Sequence, residues 1–207
     1  MLVRGRMTRE VITVGPSTPI AEALDLARRN NIRHLAVVEG DRVVGVVTEK
    51  DVRLALGAEG TPADATVGDI MTTPPVTTAP DTPVETAAQT LIQNRIGCLP
   101  VVEGEALVGI LTESDLLRAF VELMAGRERH SRLEILAPDR PGELARIVRL
   151  VGIDYGINIT GVVVPASEGE RALIVLHLEC EDVEPLIANL RQIGYEAGAP
   201  ALASRPE

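Results

Sequence analysis

Apolar residues recur along the chain with two periods. At Ile20, Ala23, Leu24 and Ala27, and again at Val84, Ala87, Ala88, Leu91 and Ile92, they follow the i, i+3, i+4, i+7 spacing of a helix with one buried stripe. Shorter apolar runs flank these helices. Val11 to Val14 and Pro75 to Thr78 read as strands ahead of each helix. His34 to Val38 with Val43 to Val47, and Cys98 to Val102 with Leu107 to Leu111, read as hairpins turning at Glu39-Gly40-Asp41-Arg42 and Glu103-Gly104-Glu105-Ala106. Thr18-Pro19 and Thr82-Pro83 suit a threonine N-cap followed by proline at the first helical position. A second helix begins at Thr48 or Thr112, and in the later instance is expected to bury Leu116, Ala119, Phe120, Leu123 and Met124.

These two blocks are copies of one unit. Met7-Thr8 matches Met71-Thr72, Val37-Val38-Glu39-Gly40 matches Val101-Val102-Glu103-Gly104, and Gly45, Thr48 and Asp51 match Gly109, Thr112 and Asp115, all at an offset of 64. No gap is needed between residues 7 and 120, and about two positions in five are identical. A unit this long, present twice, is a duplicated domain and not a solenoid repeat of about 20 to 50 residues. Each copy reads β-α-β-β-α, with domains expected at 1–60 and 61–125 around the small-residue linker at 57–64.

The last third has another pattern. Arg132 to Leu136 alternates like a strand, and Asp139-Arg140-Pro141-Gly142 turns into a helix with Leu144, Ile147, Val148 and Val151 on one face. Ile157 to Val164 and Ala172 to Leu178 read as strands around Ala166-Ser167-Glu168-Gly169, Val183, Leu186, Ile187 and Leu190 mark a helix, and Tyr195 to Ala197 starts a last strand. The order β-α-β-β-α-β is the ferredoxin-like split, expected at 131–207. At about 77 residues it is marginal alone, so association with a partner copy is expected. The fold class is therefore α+β: a duplicated module with pseudo-two-fold symmetry and a ferredoxin-like domain.

Composition narrows the chemistry. With 20 Lys+Arg against 30 Asp+Glu the net charge is -10, which leaves no broad basic face for a phosphate backbone and disfavours nucleic acid. Aromatic residues are 1% of the chain, so base-stacking platforms are not expected. Cys98 and Cys180 form no disulfide framework and no CxxC metal site, and read as buried apolar thiols; no metal or required cofactor is expected. The start, MLVRGRMTRE, carries charges where a signal peptide has an apolar run, and no stretch approaches the ~18 to 20 apolar residues of a membrane span, so a cytoplasmic protein with no membrane contact is expected. The three histidines are scattered and no nucleophile–base arrangement appears, which argues against an enzyme.

The sharpest local feature is Gly45-Val46-Val47-Thr48-Glu49-Lys50-Asp51, repeated as Gly109-Ile110-Leu111-Thr112-Glu113-Ser114-Asp115 where a strand runs into a helix. One reading is structural: threonine with an acidic residue three positions on is a capping box, which needs no ligand. The other is functional: a carboxylate held at such a turn accepts hydrogen bonds from a ribose diol, the threonine hydroxyl adds a contact, and the glycine lets a ligand approach.

Residues 7 to 120 resemble a tandem pair of CBS domains, a Bateman module, through these motifs and the apolar segments Arg33-His34-Leu35-Ala36 and Gly97-Cys98-Leu99-Pro100. The resemblance implies two clefts for adenosine-containing ligands: AMP, ADP, ATP or S-adenosylmethionine. It implies ribose contacts from Thr48 and Asp51 in one cleft and Thr112 and Asp115 in the other, with Thr13, His34, Ala36, Thr77, Cys98 and Pro100 on the base side. Ala36 stands where the family often has proline. Arg33, Lys50, Arg53, Arg95 and Arg118 are candidate phosphate partners or simply solvated surface charges, and His34 reads either as a satisfied polar residue at a strand start or as a phosphate or base contact. The last third resembles an ACT domain through Asp139-Arg140-Pro141-Gly142-Glu143-Leu144-Ala145 and Tyr155-Gly156-Ile157-Asn158-Ile159. That likeness implies amino-acid binding between copies by Asp139, Arg140, Gly142, Leu144, Asn158 and Ile159; the plainer reading is a helix start and a local hydrogen bond. The order CBS-CBS-ACT resembles the acetoin utilisation protein family. Together these features imply a homodimeric, non-catalytic sensor of small-molecule effectors that acts on an unidentified partner protein, with a ligand-free scaffold subunit as the alternative.

Overall fold

The computed structural model describes residues 1–58, 62, 64–124, 131–165 and 169–199. They fall into two compact units, residues 1–119 and 120–207.

In the first copy a two-residue strand β1 (Thr13–Val14) pairs in parallel with β2 (His34–Glu39), which forms a hairpin with β3 (Arg42–Thr48). The helices are α1 (Ile20–Arg29) and α2 (Glu49–Gly57). The second copy supplies α3 (Val84–Asn94), the hairpin β4 (Cys98–Glu103) and β5 (Ala106–Thr112), and α4 (Glu113–Met124). Both hairpins turn through a glycine with positive φ, 63° at Gly40 and 64° at Gly104, which a side chain would strain. The hairpins join at their tips, Arg42 opposite Ala106, into one sheet of order β1-β2-β3-β5-β4.

The copies are interlocked. Thr8 pairs with Ile110 of β5, and Thr72 pairs with Val46 of β3, each through two backbone hydrogen bonds of 2.8–3.1 Å. Buried Val3, in a short 3-10 turn, and Met7 pack in the second copy's core with Val84, Leu99, Val101 and Leu111. Val67, in the matching turn, and Met71 pack in the first copy's core with Ile20, Leu35, Val37 and Val47. The arm that precedes each copy thus completes the core of the other.

The arms explain the glycines. A Cβ on Gly45 would lie 2.6 Å from Sδ of Met71, and one on Gly109 2.6 Å from Sδ of Met7, so a methionine, and not a ligand, occupies the space these glycines leave.

Other local expectations are corrected by packing. Thr18 and Thr82 do not cap α1 and α3: their hydroxyls accept the N–H of Gly15 and Ala79, and the prolines take the N-cap position. The first helical N–H groups, of Ile20 and Val84, instead donate to the carbonyls of Ala65 and Met1 at 3.1 Å, again in the arms. The strand expected at Pro75 to Thr78 shrinks to one parallel bridge, Thr78 with Val101, because Pro74 and Pro75 carry no N–H for a ladder. Ile92 is 77% exposed and Phe120 39%, so neither is core; the side chains of Leu123 and Met124 lie outside the described residues.

The second unit is a four-stranded antiparallel sheet of β6 (Ser131–Pro138), β7 (Ile159–Val163), β8 (Arg171–Leu178) and β9 (Glu196–Gly198), in the order β7-β8-β6-β9. Two helices, α5 (Glu143–Arg149), which continues through a π turn at Leu150–Asp154, and α6 (Glu184–Gln192), bury Ile147, Val151, Leu186, Ile187 and Leu190 against Leu133, Ile135, Ile174 and Leu176. This is the ferredoxin-like order read from the sequence. Leu144 is 40% exposed, so the face of α5 is narrower than its spacing implies, and the expected turn at Ala166-Ser167-Glu168 lies outside the described residues.

Candidate functional site

The threonine–aspartate motif forms a capping box in both copies. In the first copy the N–H and Oγ1 of Thr48 donate to Oδ2 of Asp51 at 3.0 and 2.6 Å, and the N–H of Asp51 donates back to Thr48 Oγ1 at 3.1 Å. Thr112 and Asp115 repeat this at 2.9, 2.6 and 3.3 Å. The capping box engages Oδ2 only. Among the described residues Oδ1 of Asp115 meets the exposed Arg118, at 3.5 Å, and so keeps acceptor capacity for a diol.

Around the second motif lies a cavity of 290 Å³, lined by Glu10, Val11, Ile12, Asn31, Arg33 and His34 from the first copy and by Gly97, Ile110, Thr112, Glu113, Asp115 and Arg118 from the second, among others. A neighbouring cavity of 310 Å³ is lined by Arg33, His34, Thr48, Glu49, Lys50, Arg53 and Glu113. Both stand at the small end of the roughly 300–1,000 Å³ usual for small-molecule sites. Each offers carboxylate acceptors beside guanidinium donors, the complement of a sugar diol linked to phosphate.

The sequence-derived residues distribute unevenly. Arg33, His34, Thr112, Asp115 and Arg118 converge on the larger cavity, and Arg33, His34, Thr48, Lys50 and Arg53 on the smaller. Arg53 is drawn to Glu49 at 3.4 Å, an exposed pair worth under about 1 kcal/mol. Arg95 ends α3 in the left-handed region, φ 56°. Ala36, Pro100 and Cys98 are buried in the strands, Thr13 pairs with Ala36, and Thr77 is exposed beside the Thr78 bridge. Burial, with help from Glu113, pushes the Cys98 thiol up to about 12. His34 is half-buried; burial and the charge of Arg33 hold its pKa below 6.5 against the opposing pull of Glu113 and Asp51. Glu10, Val11, Ile12 and Asn31 are lining residues the sequence motifs do not mark, because it is the interlocking that brings the end of one arm against the motif of the other copy.

In the second unit the register separates the expected amino-acid contacts. Ile159 pairs with Leu178, as does Ser131 at the start of β6, whereas Asp139 follows Pro138 at its end. Seven residue steps of strand place the loop and Ile159 about 23 Å apart along the sheet. Within one chain Asn158 donates to Glu179 at 2.8 Å, Gly142 supplies a positive φ of 92° before α5, and Arg140 donates to Glu143 Oε1 at 2.8 Å. The buried Glu143 also accepts from the Tyr195 hydroxyl at 2.6 Å. These bonds, Tyr195 foremost, hold the Glu143 carboxyl below its ordinary range. Among the described residues no cluster of three histidine, cysteine or carboxylate side chains forms a metal site, and no helix is long and apolar enough to cross a membrane.

A duplicated β-α-β-β-α unit with interlocked arms and twin Thr-x-x-Asp helix starts is the CBS domain architecture. The CBS domain family matches residues 3–58 and 67–122, and the ACT domain family matches 131–195. The chain belongs to the CBS domain family, as a tandem pair followed by an ACT domain. A CBS domain-containing protein, YhcV, of Bacillus subtilis is 35% identical over 114 residues, 55% of this chain and 81% of that protein. Inosine-5'-monophosphate dehydrogenase of Korarchaeum cryptofilum is 34% identical over 67% of this chain, which spans only 28% of that enzyme.

Three solved structures align with the pair. The CBS pair of MJ0100 in complex with 5'-methylthioadenosine and S-adenosyl-L-methionine shares 31% identity at a TM-score of 0.54, covering 58% of this chain and 95% of that one. CBSX2 in complex with AMP shares 31% at 0.54, covering 59% and 98%. A putative acetoin utilization protein, AcuB, from Vibrio cholerae shares 28% at 0.55, covering 60% and 93%.

Proposed function

We propose that this protein is a non-catalytic regulatory sensor, its CBS clefts binding an adenosine-containing ligand, AMP, ADP, ATP or S-adenosylmethionine, through Thr112 and Asp115 in one cleft and Thr48 and Asp51 in the other. The observation that carries the reading is the cavity lined by Asp115, whose Oδ1 lies outside the capping box, together with the donors Arg33, His34 and Arg118. The ligands bound by MJ0100 and CBSX2 share the adenosine part that such a cavity complements. An amino acid is proposed to bind between two copies, where the Asp139–Gly142 loop of one meets Asn158 and Ile159 of the other, since the two sets stand at opposite ends of one sheet. The protein is proposed to act in the cytoplasm as a homodimer that transmits ligand occupancy to a partner protein.

Thermal unfolding against AMP, ADP, ATP, S-adenosylmethionine and a set of amino acids tests this. A ligand at about 100 times its dissociation constant adds about 2.7 kcal/mol per site. The rise is expected with an adenosine ligand and is expected to vanish in Asp115→Ala or Asp51→Ala. No shift with any ligand favours the scaffold reading, and a monomeric mass in light scattering contradicts the dimer.

A further inference from the structure

The two copies differ where each hairpin begins. The first has Arg33-His34, and the second has Gly97-Cys98 at the matching positions. These starts face each other: a Cβ on Gly97 would lie 2.6 Å from Nε2 of His34 and 3.1 Å from its Cε1. The imidazole therefore fills the space left by the missing side chain. Arg33, His34 and Glu113 line both the 290 Å³ and the 310 Å³ cavity, so His34 belongs to the wall common to the two clefts. Its counterpart Cys98 is buried and, with its thiol pushed up to about 12, carries no charge near neutral pH.

We propose that His34 is the residue by which the clefts distinguish phosphate-bearing from phosphate-free adenosine ligands, taking up one proton when a phosphate enters either cavity. This rests on the adenosine-binding reading above. The charged groups set around the imidazole are Arg33 beside it, Asp51 on α2 and Glu113 on α4. Glu49, Lys50 and Arg53 share the smaller cavity with it, and Glu10, Asp115 and Arg118 the larger. Without ligand, burial and Arg33 prevail, and the ring is neutral at pH 7.5. A phosphate monoester brings up to about two negative charges to this wall and favours the imidazolium. The bound state then has the higher pKa, so affinity rises as pH falls from the bound-state pKa to the free-state pKa and is flat outside that window. Adenosine lacks the charge and gains nothing. One imidazole serving two cavities limits uptake to one proton per chain, however many nucleotides bind.

The test is calorimetric titration of AMP and of adenosine at pH 8.0, 7.25 and 6.5, for the wild type and for His34→Gln. AMP is expected to tighten about 3- to 10-fold across this range in the wild type, less than about twofold in the variant, and adenosine not at all. Titration of AMP itself is common to both proteins and cancels. Should the variant fold poorly, imidazole NMR of the wild type, which has only three histidines, decides: saturation with AMP is expected to raise the pKa of His34 and saturation with adenosine to leave it in place. Equal pH slopes in both proteins, or a His34 pKa unmoved by bound AMP, overturn the role of His34 while leaving nucleotide binding intact. Binding of neither AMP nor adenosine overturns the adenosine reading itself, and this inference with it.

Discussion

The first and second CBS copies follow one plan with matching registers, even to a bulge at the same place in each hairpin, between Val37 and Val38 and between Val101 and Val102. They differ at the wall between their clefts, where one places an arginine and a histidine and the other a glycine and a cysteine. The symmetric parts make the scaffold, and the asymmetric wall is where the two clefts cease to be equivalent. Duplication supplies two cavities at once; divergence at a few positions gives them different linings.

The equivalence is broken most strongly in the cores. Leu35→Ala and Leu99→Ala, at matching fully buried positions, are each expected to cost about 2–5 kcal/mol. Because each core includes the other copy's arm, urea unfolding of either variant should show one transition for residues 1–119; two separated transitions would mean that the arms do not couple the copies. Smaller effects come from the helix starts. Thr48→Ala and Thr112→Ala are each expected to cost about 0.5–2 kcal/mol as lost caps, measured by chemical denaturation without ligand. Asp115→Ala should cost a similar amount, so loss of binding must be read from the ligand-induced shift and not from the melting temperature alone.

The ACT unit offers a contrast in pH. The Glu143 carboxyl is held below its ordinary value of 4.5, so it contributes stability that is present above pH 4.5 and lost as pH falls through the folded-state value. Tyr195→Phe removes the largest cause, and the urea midpoint of the variant is expected to fall short of the wild type at pH 7, by a margin that narrows as pH falls below 4.5. The smallest effect is chemical: at pH 8 Cys98 should resist alkylation in the folded protein and react only on unfolding, as peptide mass mapping would show.

Sequence periodicity reveals what each segment does locally, and much of the fold is local in that sense. The stripes of α1 and α6, both hairpins and the ferredoxin-like order follow from spacing alone. Ile92 and Leu144 break the rule because a helix on a small sheet buries a stripe narrower than its apolar face. The interlocked arms are not visible from spacing, since Val3 and Met7 touch residues about 80 to 110 positions away. For the same reason the motif residues Thr112 and Asp115 were legible, whereas Glu10, Val11 and Asn31 on the opposite wall were not. Thr18 misleads because a threonine before proline can serve a turn as well as a helix, and only the carbonyl of Ala65 arriving at the N–H of Ile20 decides between them.

The exchanged arms also set an order of events during synthesis. The segment holding Val3 leaves the ribosome well before the second copy, yet its place among Leu99 and Leu111 does not exist until that copy has been made. At roughly 5–20 residues per second the arm waits on the order of ten seconds. The first copy, in turn, cannot close its core until Val67 emerges. The first copy therefore has all of its core residues before the second is made, and a nascent chain stalled between them would carry one complete core and one exposed apolar arm, the form in which chaperones would meet this protein.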